Sequence, residues 1–260
     1  KKIAKVAGYL MVTMLIARFL GYVRDVVIYS WFGQTYVTDA YNAAFSIPDF
    51  IYMLLVGGAL SSALIPVLGH YLAQGEEEEV WKVTSLVLNW TVLLLILLII
   101  PGMINTRVLI TLLVPKLPPE AIELATGLTR VMLIQTFFMA LSGISLGILN
   151  ARKHFTLPAL GGIVYNLGII LVGVMLARQW GIMAFSIGVV VGSVLNFAIQ
   201  IPALVRAGIR YYPILNPNHP GLRQILILMV PVVIGLSVTQ INLFVNQNLA
   251  SGLPEGSISA

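Results

Sequence analysis

Five ionisable residues stand inside stretches that are otherwise apolar: Arg18, Arg24, Asp25, Asp39 and Asp49. A charge in hydrocarbon costs at least about 2.5 to 3.5 kcal/mol, so such residues normally face a cavity or a partner. At about 100° per helical residue, Arg18 and Asp25 project to one face, with Tyr22 one turn beyond Arg18. Arg24 lies about 120° round from Arg18 and roughly 9 Å further along the axis. Two guanidinium groups so placed can form a ladder along a cavity wall. The planar guanidinium fork matches phosphate oxygens with two parallel hydrogen bonds and keeps its charge when buried, so the chemistry implied is capture of a phosphate-like anion. The competing reading is structural, with Arg18 or Arg24 paired to Asp25 or Asp39 to fix helix packing.

The elements that must hold these residues follow from composition. Of 260 residues, 58% are hydrophobic and 10% charged, against about 25% charged in a soluble domain. With a mean hydropathy of +0.95, the chain has too little polar surface to cover a water-soluble globule. Runs long enough to cross a hydrocarbon core of roughly 30 Å as helix occur at 5–31, 38–72, 82–105, 122–149, 155–177, 181–205 and 222–249. Barrel strands would be about 10 residues long and strictly alternating, and Val92 to Ile100 shows no period of two. The expected fold is all-α and polytopic. The second run is overlong and is expected to be one helix, bent near Pro48 or Gly57-Gly58.

The first run carries Arg18 and Arg24 and no small-residue cleavage site, so it is read as a span rather than a leader. With the N-terminus in the cytoplasm, nine Lys/Arg residues fall inside and four outside, which favours that orientation. The glutamates at 76–79 then read as a solvated cytoplasmic loop. The net charge of +5 is topology rather than a sign of nucleic-acid binding. The absence of cysteine excludes disulfides, thiolate metal sites and cysteine nucleophiles. No phosphate loop, HExxH or GxSxG motif is present, and His70, His154 and His219 fall at interfaces or loops, so neither an enzyme nor a cofactor or metal site is expected. Asn89-Trp90-Thr91 matches a glycosylation sequon only formally. Gly143/Gly147 and Gly188/Gly192 are read as close-packing pairs. Asn166, Asn196, Gln200, Gln240, Asn242 and Gln247 are polar at membrane depth, as interhelical ties or cavity lining. The chain starts without methionine and stops at what reads as the opening of an eighth helix, and is expected to be part of a longer transporter.

The strings Ala17-Arg18-Phe19-Leu20-Gly21-Tyr22-Val23-Arg24-Asp25, Phe32-Gly33, Thr38-Asp39-Ala40-Tyr41, Ile47-Pro48-Asp49 and Gly57-Gly58 through Pro66 closely resemble the MviN/MurJ family of lipid II flippases. Weaker likeness continues through Leu149-Asn150-Ala151-Arg152 to Pro158 and Tyr165-Asn166. Members belong to an exporter superfamily in which two six-helix lobes face a central cavity and alternate access. The resemblance implies a first lobe at 1–206, an interfacial connector at 207–221 and the start of a second lobe at 222–260. It also implies a substrate-binding set of Arg18, Arg24, Asp25 and Asp39. The implied cargo is lipid II, the undecaprenyl-diphosphate-linked peptidoglycan precursor, carried to the outer leaflet of the bacterial cytoplasmic membrane. Membrane lipids and cell-wall synthesis proteins are the implied partners, and nucleic acid is not one. Many members carry an arginine shortly after the proline of the second helix, where this chain has Ile51-Tyr52-Met53. A further family arginine would lie beyond Ala260. The alternatives are a multidrug or polysaccharide exporter of the same superfamily, and a non-transporting scaffold whose buried charges only fix packing. A cation exporter would line its cavity with carboxylates and aromatics, whereas a diphosphate carrier needs positive charge there.

Overall fold

The computed structural model describes residues 2–56 and 59–259. Among them all regular structure is helical: α1 (Lys2–Phe32), α2 (Tyr36–Leu55), α3 (Ala59–Ala73), α4 (Glu77–Ile104), α5 (Thr106–Leu113), α6 (Pro119–Ala151), α7 (Thr156–Ala159), α8 (Gly161–Trp180), α9 (Met183–Ala198), α10 (Ile201–Arg206) and α11 (Pro220–Ala250). Among the described residues seven stretches are long and apolar enough to cross a membrane: Lys5–Phe32, Tyr36–Ala73, Glu77–Ile104, Pro119–Ala151, Thr156–Trp180, Met183–Arg206 and Pro220–Ala250. They coincide with the seven runs expected. In lipid every backbone polar group must be paired within the chain, and a helix does this locally.

The second span departs from expectation. In place of one bent helix, the helix stops at Leu55, and Val56 turns out of helical conformation with φ −130° and ψ −37°. Gly57 and Gly58, named above as one site of the bend, lie outside the described residues. The other site, Pro48, does not interrupt α2. Proline has no N–H to give the carbonyl four residues back, and the hydroxyl of Thr129 stands 3.4 Å from that freed Ala44 carbonyl. The start of α2 is fixed by a capping box, in which Thr35 accepts from the Val37 N–H and Thr38 accepts from the Thr35 N–H.

Helix α6 is the hub, packed against α2, α3, α4, α5 and α9, and its inward face is buried along most of its length. Glycines let the helices close on one another, as the spacing implied. A Cβ on Gly192 would stand 2.5 Å from the Tyr165 carbonyl, and one on Gly188 would stand 2.8 Å from the Ile169 carbonyl, so α8 and α9 meet backbone to backbone. Gly143 and Gly147 receive Val56 and Leu64 in the same manner. Helices α1 and α11 flank the bundle and leave most of their apolar surface uncovered.

At one end of the bundle the acidic stretch is not a free loop. Glu77, Glu78 and Glu79 form the first turn of α4, where carboxylates oppose the positive end of the helix dipole. Glu77 pairs with Arg152, whose guanidinium lies 4.7 Å over the Trp81 ring. Glu79 contacts Lys82 and the His219 ring at 2.9 and 3.2 Å. His219 in turn caps α11 by accepting the Gly221 N–H. Residues 207–219 contain no helix and run along α4, held by Asn89, which donates to the Tyr212 and Ile214 carbonyls. The sequon asparagine is therefore committed to packing.

Candidate functional site

A cavity of about 590 Å³ opens between α1, α2, α6, α8 and α11. Arg24 and Asp25 reach it from α1, and Tyr41, Asp49 and Tyr52 from α2. Gln135 comes from α6, Tyr165 from α8 and Gln240 from α11. The Arg24 guanidinium is held on two edges. Nε and Nη2 donate to one oxygen of Asp25 at 2.9 and 2.8 Å, and Nη1 donates to the Asn166 side-chain oxygen at 3.3 Å. Asn166 is itself fixed, because its NH₂ donates to the Ala17 and Gly162 carbonyls. Three of the five guanidinium N–H groups are so engaged, which leaves two for a bound anion. On the facing wall Tyr165 donates to Gln135 at 3.0 Å, while the buried Tyr41 hydroxyl has no hydrogen-bond partner among the described residues.

The four residues expected to act together are not brought together. Only Arg24 and Asp25 meet in the cavity. Arg18 stands on the exposed face of α1, away from that wall. Asp39 is 2% exposed and spends both oxygens elsewhere, accepting the backbone N–H groups of Gly256 and Ser259 at 2.7 and 2.9 Å. It ties the start of α2 to the end of the chain, beside Tyr29, which donates to the Ser259 carbonyl. Asp49, a charge noticed in the sequence but left out of the expected set, does line the cavity. Tyr41, Gln135 and Tyr165 carried no chemical signal of their own. The stride of four from Tyr41 through Phe45 to Asp49 was the only pointer to a shared face.

The polar residues of the other spans divide. Gln240 faces the cavity, whereas Gln247 ties α11 to Ser46 of α2 and Gln200 ties the turn after α9 to Ser142 of α6. A larger groove of about 680 Å³ runs among Phe50, Leu98, Leu112 and Phe244. Its lining has no ionisable side chain, and it is set apart from the charged cavity.

Three lines of comparison bear on this architecture. The lipid II flippase MurJ of a solved structure in an inward closed conformation superposes with a TM-score of 0.81 at 31% identity, over 96% of this chain and 52% of that one. Multidrug transporters of the MATE family share the fold, with a TM-score of 0.74 at 17% identity for an outward-facing example covering 98% of this chain and 58% of that one. Among curated relatives, the probable lipid II flippase MurJ of Buchnera aphidicola is 33% identical over 249 residues, and the lipid II flippase MurJ of Burkholderia cenocepacia 31% over 256. Each alignment takes in 94% of this chain and 49% of the relative, so the chain spans about half the length of the curated relatives it matches. Residues 28–260 match the sequence profile of lipid II flippase MurJ, and the chain belongs to that family.

Proposed function

We propose that this chain supplies the first half of a lipid II flippase, which moves the undecaprenyl-diphosphate-linked precursor from the cytoplasmic to the outer leaflet by alternating access. The observation that carries this reading is the Arg24 guanidinium, held at membrane depth on the cavity wall by Asp25 and Asn166 with two N–H groups free. Such a fork is preorganised for diphosphate oxygens, because its orientation is fixed before the anion arrives. Arg18 lies about 9 Å along the same helix from Arg24 and would meet the headgroup on its way to or from the cavity. Asp25 acts as the orienting acceptor for Arg24. Asp39 contributes indirectly, by anchoring the segment that follows α11.

The assigned setting is the bacterial cytoplasmic membrane with the N-terminus inside, residues 1–206 as the first lobe, 207–221 as the connector and 222–260 as the opening of the second lobe. Membrane lipids surround it, and enzymes of wall synthesis are the partners that such a cargo implies. One observation favours the rival multidrug-exporter reading: the cavity lining holds three tyrosines and more carboxylates than cations. Family membership outweighs it.

The test is leaflet-resolved translocation of lipid II by the full-length protein in vesicles, beside its melting temperature in detergent. Arg24→Ala is expected to lower transport at least about tenfold, the worth of one hydrogen bond to a charged group, with little change in melting. Loss of melting temperature with transport preserved would support the packing role instead.

A further inference from the structure

The charge balance of the cavity is not explained by an anion alone. Its lining holds one guanidinium and two carboxylates. Arg24 and Asp25 form an ion pair, whereas no hydrogen bond or ion pair among the described residues engages Asp49. Asp49 shares a face of α2 with Tyr41, Phe45 and Tyr52, at helical strides of four and three. Tyr165 of α8 lines the same cavity as Asp49 and Tyr52, so carboxylate and rings share one neighbourhood.

A second observation is independent of charge. Tyr41 is 3% exposed, and its hydroxyl has no hydrogen-bond partner among the described residues. Buried hydroxyls are nearly always paired, so an unpaired one on a residue of the cavity lining points to a ligand. An unpaired carboxylate, aromatic faces and a hydroxyl able to accept a hydrogen bond are together the groups that recognise an ammonium. The carboxylate supplies Coulomb attraction, the rings their negative faces, and the hydroxyl a lone pair. A divalent metal fits less well, because it needs six or more oxygen ligands, and no cluster of three candidate ligand side chains occurs among the described residues.

We infer that the cavity is a two-part site, in which Asp49 with Tyr41, Tyr52 and Tyr165 receives a primary ammonium group of the transported headgroup while Arg24 receives its diphosphate. The inference rests on the diphosphate-carrier reading and adds that the preferred cargo is zwitterionic.

The experiment measures binding of three lipids to the full-length protein in detergent: lipid II with a free peptide amine, the same lipid with that amine acetylated, and undecaprenyl diphosphate alone. Wild type should bind the free-amine form about tenfold more tightly than the acetylated one, a difference of one good polar contact. Asp49→Asn, close to isosteric, should bind the free-amine and acetylated forms alike, so that the ratio between them falls to about one. Tyr41→Phe, which keeps the ring, should lose part of the preference. Equal binding of the two lipid II forms by wild type overturns the inference, as does a preference that survives in Asp49→Asn. If Asp49→Asn instead abolishes a dependence on sodium over choline salts without touching the amine preference, the site serves a salt ion and the inference falls. Failure of all three lipids to bind wild type removes the carrier reading itself, and the amine site with it.

Discussion

Asp39 and Ser259 stand 220 residues apart in the chain and meet through a backbone N–H donated to a carboxylate at 2.9 Å. The other Asp39 oxygen takes the Gly256 N–H at 2.7 Å, where glycine adopts φ +87° and a Cβ would strike the Gln34 carbonyl at 2.7 Å. One buried side chain thus closes the start of α2 onto the segment after α11. Replacing Asp39 by Asn keeps one acceptor and turns an NH₂ toward a backbone N–H, so one charge-assisted bond is lost and the other becomes an uncharged one. We expect the full-length Asp39→Asn protein to lose about 1.5 to 3 kcal/mol of stability, read as a lower melting temperature in detergent. Unchanged melting would show that the tie contributes nothing net.

Gly192 faces the Tyr165 carbonyl closely enough that a Cβ would stand at 2.5 Å, with the Tyr165 ring at 3.1 Å. Backbone cannot swing aside as a side-chain tip can. Gly192→Ala should therefore push α9 away from α8 and cost about 1 to 3 kcal/mol, the usual range for overpacking. Because Tyr165 also lines the cavity, transport should fall with melting temperature in parallel. Gly8→Ala, where nothing lies within 4 Å, is the control and should alter neither.

The spans were legible in the sequence because hydrophobic length is a local property, and so was glycine packing, because a small residue at helical spacing has few other uses in lipid. Three features were not. The halt at Val56 is a backbone event that a hydrophobic count passes over. The glutamates at 77 and 79 are partly solvated, but their pairing was hidden because the partners, Arg152 and His219, lie 75 and 140 residues away. The charges of the first two spans were visible as costly, but their pairing depends on which way α1 and α2 face. That is why Asp39 turned out to hold backbone and Asp49 to line the cavity.

Gln74 lies in the exposed turn between α3 and α4. With the N-terminus inside and two crossings before it, the turn should be cytoplasmic. Because the chain has no cysteine, a Gln74→Cys variant offers a single thiol unless other segments of the full-length protein add one. An impermeant maleimide should label it in inverted vesicles and not in intact cells. Labelling from outside would reverse the orientation.

Arg152 covers the buried Trp81 ring and pairs with the half-exposed Glu77. Lysine would keep the charge and lose the flat stack and the fork. Arg152→Lys should lower stability by about 1 to 2 kcal/mol, the worth of a cation–π contact largely removed from water, since the Arg152 side chain is 13% exposed. Exposure of Glu77 makes the ion pair a small share of this, so raising salt should narrow the melting difference between the variants only slightly. A difference erased by salt would mean that the pair, not the stack, carries the effect.

Asn166 decides how much of Arg24 is available. Asp25 is the next residue on the same helix and takes one edge of the guanidinium, while Asn166 takes the other edge from α8. The asparagine cannot rotate freely, since its NH₂ is spent on the Ala17 and Gly162 carbonyls. Asn166→Ala should keep the Arg24–Asp25 pair but let the fork swing, lowering lipid II transport about tenfold for one hydrogen bond to a charged group. Asn166→Asp should be worse than Ala. It offers Arg24 a second carboxylate, which competes with the diphosphate, and it sets an oxygen against two carbonyl oxygens. A purely steric role would reverse that order, because aspartate matches the shape of asparagine and alanine does not. Combining the alanine change with Arg24→Ala isolates the coupling. If Asn166 acts through Arg24, the double variant should transport no less than Arg24→Ala alone. A full additional tenfold loss in the double variant would falsify the positioning role.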